Sequence, residues 1–216
     1  MKKRLATKWI IVIVIAAVVA FGAVGGGVAY AIWTARPENS AWFEMGVDND
    51  NASLKYQIFV PIDAEGNRVA GAHDVSESMG YARGNYVLSD HSTPIVSLAL
   101  VGWEGGISLD YVVIPDTAKV IIDGEERELP VTKVMVDSDY RDYYFRGNSV
   151  LTSIYFGRNV TYVAKGVFAA MERLSKTYVL GDGEDEKIVF EKDCFLACPR
   201  WDGITSEQGR EYEIGE

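Results

Sequence analysis

The side chains that could support metal or redox chemistry are few and poorly spaced. The two histidines, His73 and His91, lie far apart, outside spacings such as H-E-x-x-H that place two ligands on one helix face. Cys194 and Cys198 have no second cysteine pair beside them, whereas a structural zinc ion takes about four ligands. The sequence therefore predicts no metal and no cofactor. It leaves open a disulfide between the two cysteines, which an oxidising compartment would permit.

Three further segments begin like ligand-binding motifs and then depart from them. Residues 48–51 (DNDN) resemble the start of a calcium loop, but Ser53 and Phe59 stand where that loop needs glycine and glutamate. Residues 182–186 form an acidic, glycine-containing stretch that is typical of a solvated turn. Residues 102–106 (GWEGG) lack the G-x-G-x-x-G spacing, and neither a Walker motif nor G-x-S-x-G is present. We expect no catalytic residues, so the chain is predicted not to be an enzyme.

Charge divides the chain into two unlike parts. The 216 residues carry a net charge of -10, with 21 basic and 31 acidic residues. Residues 1–33 contain four of the basic residues and no acid, so the remainder carries 17 basic against 31 acidic residues, a net of -14. A nucleic-acid partner would require a basic face to neutralise phosphates. The acidic remainder therefore excludes nucleic acid as the expected partner.

The N-terminal region has the pattern of a membrane anchor. Residues 9–33 contain no charged side chain, and a helix of roughly 20 apolar residues crosses the hydrocarbon core. Residues 1–8 form a basic tail, which the positive-inside rule keeps in the cytoplasm. The rest of the chain is then extracytoplasmic. A cleaved signal peptide is the alternative, because residues 29–31 (AYA) fit the A-x-A cleavage pattern.

Residues 34–92 are predicted to form a linker followed by a small β-rich lead-in. Residues 54–60 alternate roughly between polar and apolar side chains and end at Pro61, which indicates a strand. Residues 63–67 (DAEGN) are typical of a turn, and residues 68–70 are expected to return as the partner strand.

The C-terminal half contains an internal repeat. Residues 151–156 have the form L-x-x-I-x-F, and related segments occur at intervals of 20 to 23 residues. Those segments are residues 109–114, 131–136 and 174–179. A phenylalanine lies at a constant distance before the first residue of two of these segments. Phe145 precedes Leu151 by six residues, and Phe168 precedes Leu174 by six. Phe195 precedes Trp201 by six and marks a further, degenerate unit.

A unit of this length cannot close its own core and must stack on its neighbours. In L-x-x-I-x-F the first, fourth and sixth residues face inward, and strand alternation turns the fifth outward. The pattern predicts a mainly β fold whose repeat strands pair in parallel. We expect this repeat domain to span residues 93–201 and residues 202–216 to be an acidic C-terminal tail.

Residues 151–174 (LTSIYFGRNVTYVAKGVFAAMERL) resemble the BspA-type, or Treponema pallidum-type, leucine-rich repeat of bacterial surface proteins. Residues 111–134, in which a strand ending in I-P leads through a glycine turn to P-V-T, are similar to the segment often found before such repeats. Residues 195–198 match the family's F-x-x-C. The resemblance covers about residues 107–201 and implies a short leucine-rich-repeat solenoid. Gly157 and Ala164 depart from the usual proline and glycine.

The third and fifth repeat positions should form the open face of the sheet. Tyrosine and methionine are enriched at recognition surfaces, and solenoids bind along their exposed surface. We predict a binding face for a protein or glycan ligand, on which Met135 stands in one column with Tyr155 and Tyr178. The candidate residues are Tyr111, Lys133, Met135, Tyr155, Lys176 and Tyr178.

The leading interpretation is a single-pass membrane protein whose extracytoplasmic repeat domain binds a partner at the cell surface. A structural or assembly subunit of a larger envelope complex is the alternative. A wall-associated hydrolase is disfavoured because no nucleophile, acid pair or metal set is apparent.

Overall fold

The computed structural model describes residues 56–69, 71–74, 85–103 and 109–215. All of them lie in the unit Asp50–Glu216. The described part is mainly β, as the sequence predicts, with parallel and mixed sheets. Residues 1–55, which include the predicted anchor at 9–33, are outside the described part. Among the described residues, no helix is long and apolar enough to cross a membrane.

In the described part of the chain, four strands precede the first repeat strand, three in the predicted lead-in at 34–92 and the fourth within the range 93–201 predicted for the repeat domain. These are β1 (Gln57–Ile62), β2 (Gly71–Asp74), β3 (Asn85–Leu88) and β4 (Ser97–Trp103). Strand β1 pairs antiparallel with β4, and every residue of both strands is buried. Their near-continuous apolar runs suit strands covered on both faces. Of the predicted return strand at 68–70, the described residues 68 and 69 supply an isolated bridge between Ile62 and Arg68, and residue 70 lies outside the described part.

A hairpin follows the first repeat strand. Strand β5 (Tyr111–Ile114) leads into β6 (Thr117–Ile122) and β7 (Glu125–Val134). The turn between β6 and β7 is Asp123-Gly124, and both residues have positive φ, as a two-residue hairpin turn with matching twist requires. The first half of β7 pairs with β6, and its last residues run parallel to β4.

A 3₁₀ helix (Ser138–Tyr143) connects β7 to the next repeat strand. Arg68 donates hydrogen bonds to Asp137 at 2.9 Å and to Asp139 at 2.6 Å. Its guanidinium also lies 5.4 Å from the ring centroid of Tyr140. These contacts tie the turn of the lead-in to the repeat region.

From β5 onward the chain alternates between two sets of parallel strands. The strands that follow β7 are β8 (Ser153–Phe156), β9 (Tyr162–Val163), β10 (Lys176–Val179), β11 (Ile188–Phe190), β12 (Ile204–Ser206) and β13 (Tyr212–Ile214). The front sheet has the order β12-β10-β8-β5, and all of its neighbours are parallel. The back sheet contains the parallel series β13-β11-β9-β7.

The inward positions of the repeat form the core as predicted. Leu151, Ile154 and Phe156 are completely buried. The phased phenylalanines form a phenylalanine ladder, in which Phe168 lies 5.1 Å from Phe145 and 5.8 Å from Phe195 between ring centroids. Aromatic pairs at these distances stabilise a core beyond the area that they bury. The ladder shows that the sequence phase corresponds to direct contact between successive units.

The loops after the three ladder residues also repeat. Gly147, Ala170 and Ala197 each follow a ladder phenylalanine by two residues, and each has positive φ. The loops are joined by backbone hydrogen bonds, from Gly147 N to Ala169 O and from Ala170 N to Leu196 O.

Two expectations about strand placement need correction. Residues 131–134, predicted to stack between the strands at 109–114 and 151–156, belong to the back sheet, and β5 pairs directly with β8. The β6–β7 hairpin carries the chain from one sheet to the other, which the 20-residue spacing does not reveal. Residues 202–216, predicted as a tail, contribute β12 and β13 at the edges of the two sheets.

Candidate functional site

The outward face of the front sheet is set by strand alternation along β8. Ile154 and Phe156 belong to the central core cluster, whereas Ser153 and Tyr155 point to the opposite side and lie outside that cluster. Parallel pairing in register then repeats each outward position on the neighbouring strands. This register decides which predicted site residues meet.

Two outward rows cross the front sheet. Pairing places Tyr155 beside Val113 on one side and beside Tyr178 on the other. Ser153 pairs with Tyr111 on β5 and with Lys176 on β10. Four of the six predicted residues therefore share one face: Tyr111, Tyr155, Lys176 and Tyr178.

The three tyrosines on this face form a second aromatic stack, here called the tyrosine ladder (Tyr111, Tyr155 and Tyr178). The rings of Tyr155 and Tyr178 are stacked, with centroids 4.7 Å apart and planes 7° from parallel. Tyr111 meets Tyr155 edge to face at 6.4 Å. The stacking distance equals the spacing of adjacent strands, so the sheet itself sets the ladder.

Tyr155 is the enclosed middle member of the ladder. Only 6% of its surface is exposed, although it lies on the side away from the core. Burial, and to a lesser degree the neighbouring Tyr178, raise the pKa of Tyr155 to about 12, against a hydrogen bond with Ser153 that lowers it. Tyr155 therefore remains a neutral donor and acceptor at physiological pH.

Lys133 and Met135, the other two predicted residues, are not on this face. Lys133 pairs with Tyr162 of β9 in the back sheet, and its ammonium lies 5.4 Å from that ring. Met135 lines a separate groove of about 350 Å³ with Val136 and Leu196. The predicted column of Met135, Tyr155 and Tyr178 is corrected accordingly, because β7 departs to the back sheet.

The two ends of the tyrosine ladder differ. At the β5 end, Val113 is buried, and Gln57 of β1 donates a hydrogen bond of 2.5 Å to its carbonyl oxygen. At the β12 end, the residue paired with Tyr178 is Thr205, which is short and exposed. The ladder is thus closed by the lead-in at one end and reaches an edge strand at the other.

Arg210 connects the turns that follow β8 and β10. This residue is not among those predicted from the sequence. Its side chain is 1% exposed and donates five hydrogen bonds to four backbone carbonyl oxygens. Those acceptors belong to the turns after β8 and β10: Gly157, Val160, Leu180 and Glu186. Burial lowers the pKa of Arg210, opposed by the nearby acids Asp185, Asp116 and Glu186. No sequence signal marks this role, because its acceptors are backbone groups.

The corner after β8 has room only for glycine. A Cβ on Gly157 would lie 2.5 Å from Asp116 Oδ1 and 2.8 Å from the carbonyl oxygen of Ile114. This close approach allows Gly157 N to donate to Ile114 O at 2.9 Å. The same contacts exclude any side chain at this position, including that of proline.

The remaining chemistry-bearing side chains lie away from the tyrosine ladder. Cys194 and Cys198 are both free thiols. Burial raises the pKa of Cys194 to about 12, and Cys198 donates to the carbonyl oxygen of Phe168 at 3.0 Å. His91 is exposed, with Nδ1 3.5 Å from Asp123 Oδ2. His73 lies in β2, and its side chain is not described.

In chemical terms the front face offers stacking surfaces and hydrogen-bonding groups. Its tyrosine ladder is flanked by the exposed Lys176 and by the hydroxyls of Ser153 and Thr205. Within the part of the chain that the structure describes, no three His, Cys, Asp or Glu side chains are grouped as a metal site. No family model, curated protein or solved structure matches the chain.

Proposed function

We propose that this chain is a non-catalytic binding protein of the cell surface, anchored by residues 9–33 with its repeat domain outside the cell. The tyrosine ladder is the surface that contacts a protein or glycan partner. In this proposal the alternating strands form a short leucine-rich-repeat solenoid of the kind that residues 151–174 resemble.

The single observation that carries the proposal is the stacked pair of Tyr155 and Tyr178 on the side away from the core. The inward positions form the core, and both tyrosines lie outside that cluster. They supply large, rigid and amphipathic contact area, which is the reason tyrosine is enriched at recognition surfaces. The repeat strands hold these rings at fixed spacing, so little ordering would be required upon binding.

Alternation between two parallel sheets supports the solenoid assignment. Three successive units each contribute one front strand, one back strand and one ladder phenylalanine, as with β8, β9 and Phe168, and the last unit contributes β12 and β13 alone. No unit buries its phenylalanine alone, because each ring packs against those of the adjacent units. Such nearest-neighbour stacking is the physical basis of repeat proteins.

The test compares cross-linked partners of the full-length chain on intact native cells. We expect the Tyr155→Ser/Tyr178→Ser double variant to lose the partner that the wild type captures. The matched control is Tyr212→Ser, which removes a tyrosine that is 40% exposed on the back sheet. Unchanged capture by the double variant, with its fold verified by circular dichroism, would contradict the proposal.

An assembly subunit is the second candidate, supported by the edge strands of both sheets. In the described residues, β12 and β13 each pair on one side only. Tyr212 and Ile214 of β13 are 40% and 47% exposed. An unpaired strand edge is a template for pairing with another chain. Loss of partner capture upon Ile214→Pro, with the tyrosine ladder intact, would favour this candidate over the first.

A further inference from the structure

The β12 end of the tyrosine ladder forms a step on the front sheet. One face of the Tyr178 ring is covered by Tyr155, which comes from β8. The other face is directed toward β12, because β12 lies on the opposite side of β10. The residue that pairs with Tyr178 there is Thr205, whose side chain is too short to cover a ring. The outer face of Tyr178 is therefore the wall of this step.

The floor of the step is the backbone of β12 and the residue before it. Gly203 has positive φ, and a Cβ added to it would meet no atom within 4 Å. Below the sheet, Trp201 Nε1 donates to the buried Thr177 Oγ1 at 3.2 Å, which fixes the floor against β10. Wall and floor together form a shelf that is open to solvent, here called the Tyr178 shelf (Tyr178, Gly203 and Thr205).

We propose that the Tyr178 shelf binds a pyranose ring of a neutral carbohydrate. The ring takes the place that the next rung of the tyrosine ladder would occupy, with its apolar C–H face against Tyr178. The face of an aromatic ring carries partial negative charge and attracts weakly positive C–H groups. The inference rests on the proposed function, because it assigns the ligand class of the same face.

The polar groups around the shelf suit the hydroxyl groups of a sugar. Lys176 lies on the same face as Tyr178, two residues earlier on β10, and is exposed. Within the described residues, neither its ammonium nor the hydroxyls of Tyr178 and Thr205 form a hydrogen bond or ion pair. Lys176 supplies up to three donors, and each hydroxyl can donate and accept. The aromatic side chain of a protein partner would leave these groups without partners.

Charge favours a neutral sugar over an acidic one. Beyond residue 33 the chain carries 17 basic and 31 acidic residues. A field of this sign repels polyanions at long range, as it would repel nucleic acid. A single lysine at the shelf serves as a hydrogen-bond donor to hydroxyl groups and does not reverse that field.

The test uses the full-length chain, purified in a detergent without a sugar headgroup, on an array of neutral and acidic oligosaccharides. We expect retention of at least one neutral oligosaccharide with a dissociation constant on the order of 1 mM per site. Thr205→Tyr should abolish that retention, because it adds a ladder ring where the sugar would stack. Thr205→Ser keeps a short hydroxyl side chain and is the matched control. Its dissociation constant for the oligosaccharide should stay within about threefold of the wild-type value.

A second variant keeps the test decisive if Thr205→Tyr fails to fold. Tyr178→Ala removes the wall and should reduce affinity by more than about tenfold. No retained neutral oligosaccharide, or retention unchanged by both Thr205→Tyr and Tyr178→Ala, would overturn the assignment. If no oligosaccharide is retained on the array but the Tyr155→Ser/Tyr178→Ser variant loses its cross-linked partner on cells, the carbohydrate assignment is refuted and the proposed binding face is not. Undiminished capture in that double variant would refute the proposed function.

Discussion

The phenylalanine ladder and the tyrosine ladder are built by the same repeat and differ in what surrounds them. Phe168 is completely buried and is in contact on both sides, with Phe145 and with Phe195. Tyr178 is covered on one side by Tyr155 and meets an edge strand on the other. The repeat places like side chains in register, the phenylalanines in the turns and the tyrosines on the strands of the front sheet. Both central rings, Phe168 and Tyr155, are buried, whereas Tyr178 at the end of the tyrosine ladder is only half-buried and is available for contact.

The largest expected effect distinguishes the two ladders by stability. Phe168→Ala removes a fully buried ring and should lower the free energy of unfolding by about 4 kcal/mol. Tyr178→Ala removes a half-buried ring at the end of the tyrosine ladder and should cost about 1 kcal/mol. Chemical denaturation of both variants measures the difference. Equal losses would mean that the tyrosine ladder is also a core element.

Removal of the Arg210 side chain tests whether this one residue stabilises the turns after both β8 and β10. Arg210→Met fills similar space and leaves three buried carbonyl oxygens, and the part-buried one of Glu186, with fewer donors. We expect a loss of about 3 kcal/mol, since each unsatisfied buried group costs roughly 1 to 3 kcal/mol. Arg127→Met, at a half-exposed side chain near Glu125, is the control and should change stability by less than about 0.5 kcal/mol. A small loss at Arg210 would show that these carbonyls find other donors.

Alkaline titration examines the middle of the tyrosine ladder. The pKa of Tyr155 is raised from 10.0 to about 12, so the folded state retains its proton more tightly than the unfolded chain does. Its contribution to stability is complete below pH 10 and is lost as the pH rises through 12. Tyrosinate absorbance should show one fewer group titrating near pH 12 in Tyr155→Phe. Titration of Tyr155 near pH 10 in the folded protein would contradict its enclosure.

The smallest effect concerns the loops that follow the phenylalanine ladder. Ala170 has φ of 57°, in the region where glycine is favoured, and Gly147 occupies the equivalent position of the preceding unit. Ala170→Gly relieves the left-handed strain but adds freedom to the unfolded chain, so stability should rise by less than about 1 kcal/mol. The neighbouring Ala169→Gly lacks that relief and should lower it by about 1 kcal/mol. Thermal unfolding of both variants checks the contrast, and a loss at both positions would contradict it.

Strand alternation and the phenylalanine phase could be predicted because both are periodic in sequence. Ile154 and Phe156 lie inward and Tyr155 outward, as the L-x-x-I-x-F pattern indicates. Residues 131–136 satisfy the same apolar spacing, yet their inward residues fit either sheet, so the pattern could not decide between the two. The β6–β7 hairpin decides it, and with it the separation of Met135 from the tyrosine ladder.

The C-terminal strands and Arg210 could not be predicted for a different reason. Residues 211–214 (EYEI) alternate acidic residues with Tyr212 and Ile214, and two such positions, both exposed, are too few to distinguish β13 from a solvated tail. Arg210 is buried by backbone carbonyl groups, which every residue possesses. The open step at Thr205 likewise depends on register between β10 and β12, which is known only from the folded chain.

Site-specific photo-crosslinking on intact cells tests the central claim most directly. A short aliphatic diazirine side chain at position 205 lies beside Tyr178 and is too small to cover its ring. The same side chain in place of Leu196, which is 57% exposed, lies on the groove with Met135. We expect an adduct from position 205 that disappears when Tyr178→Ser is added, and no adduct from position 196. An adduct from position 196 together with none from position 205 would contradict the assignment of the tyrosine ladder as the binding surface.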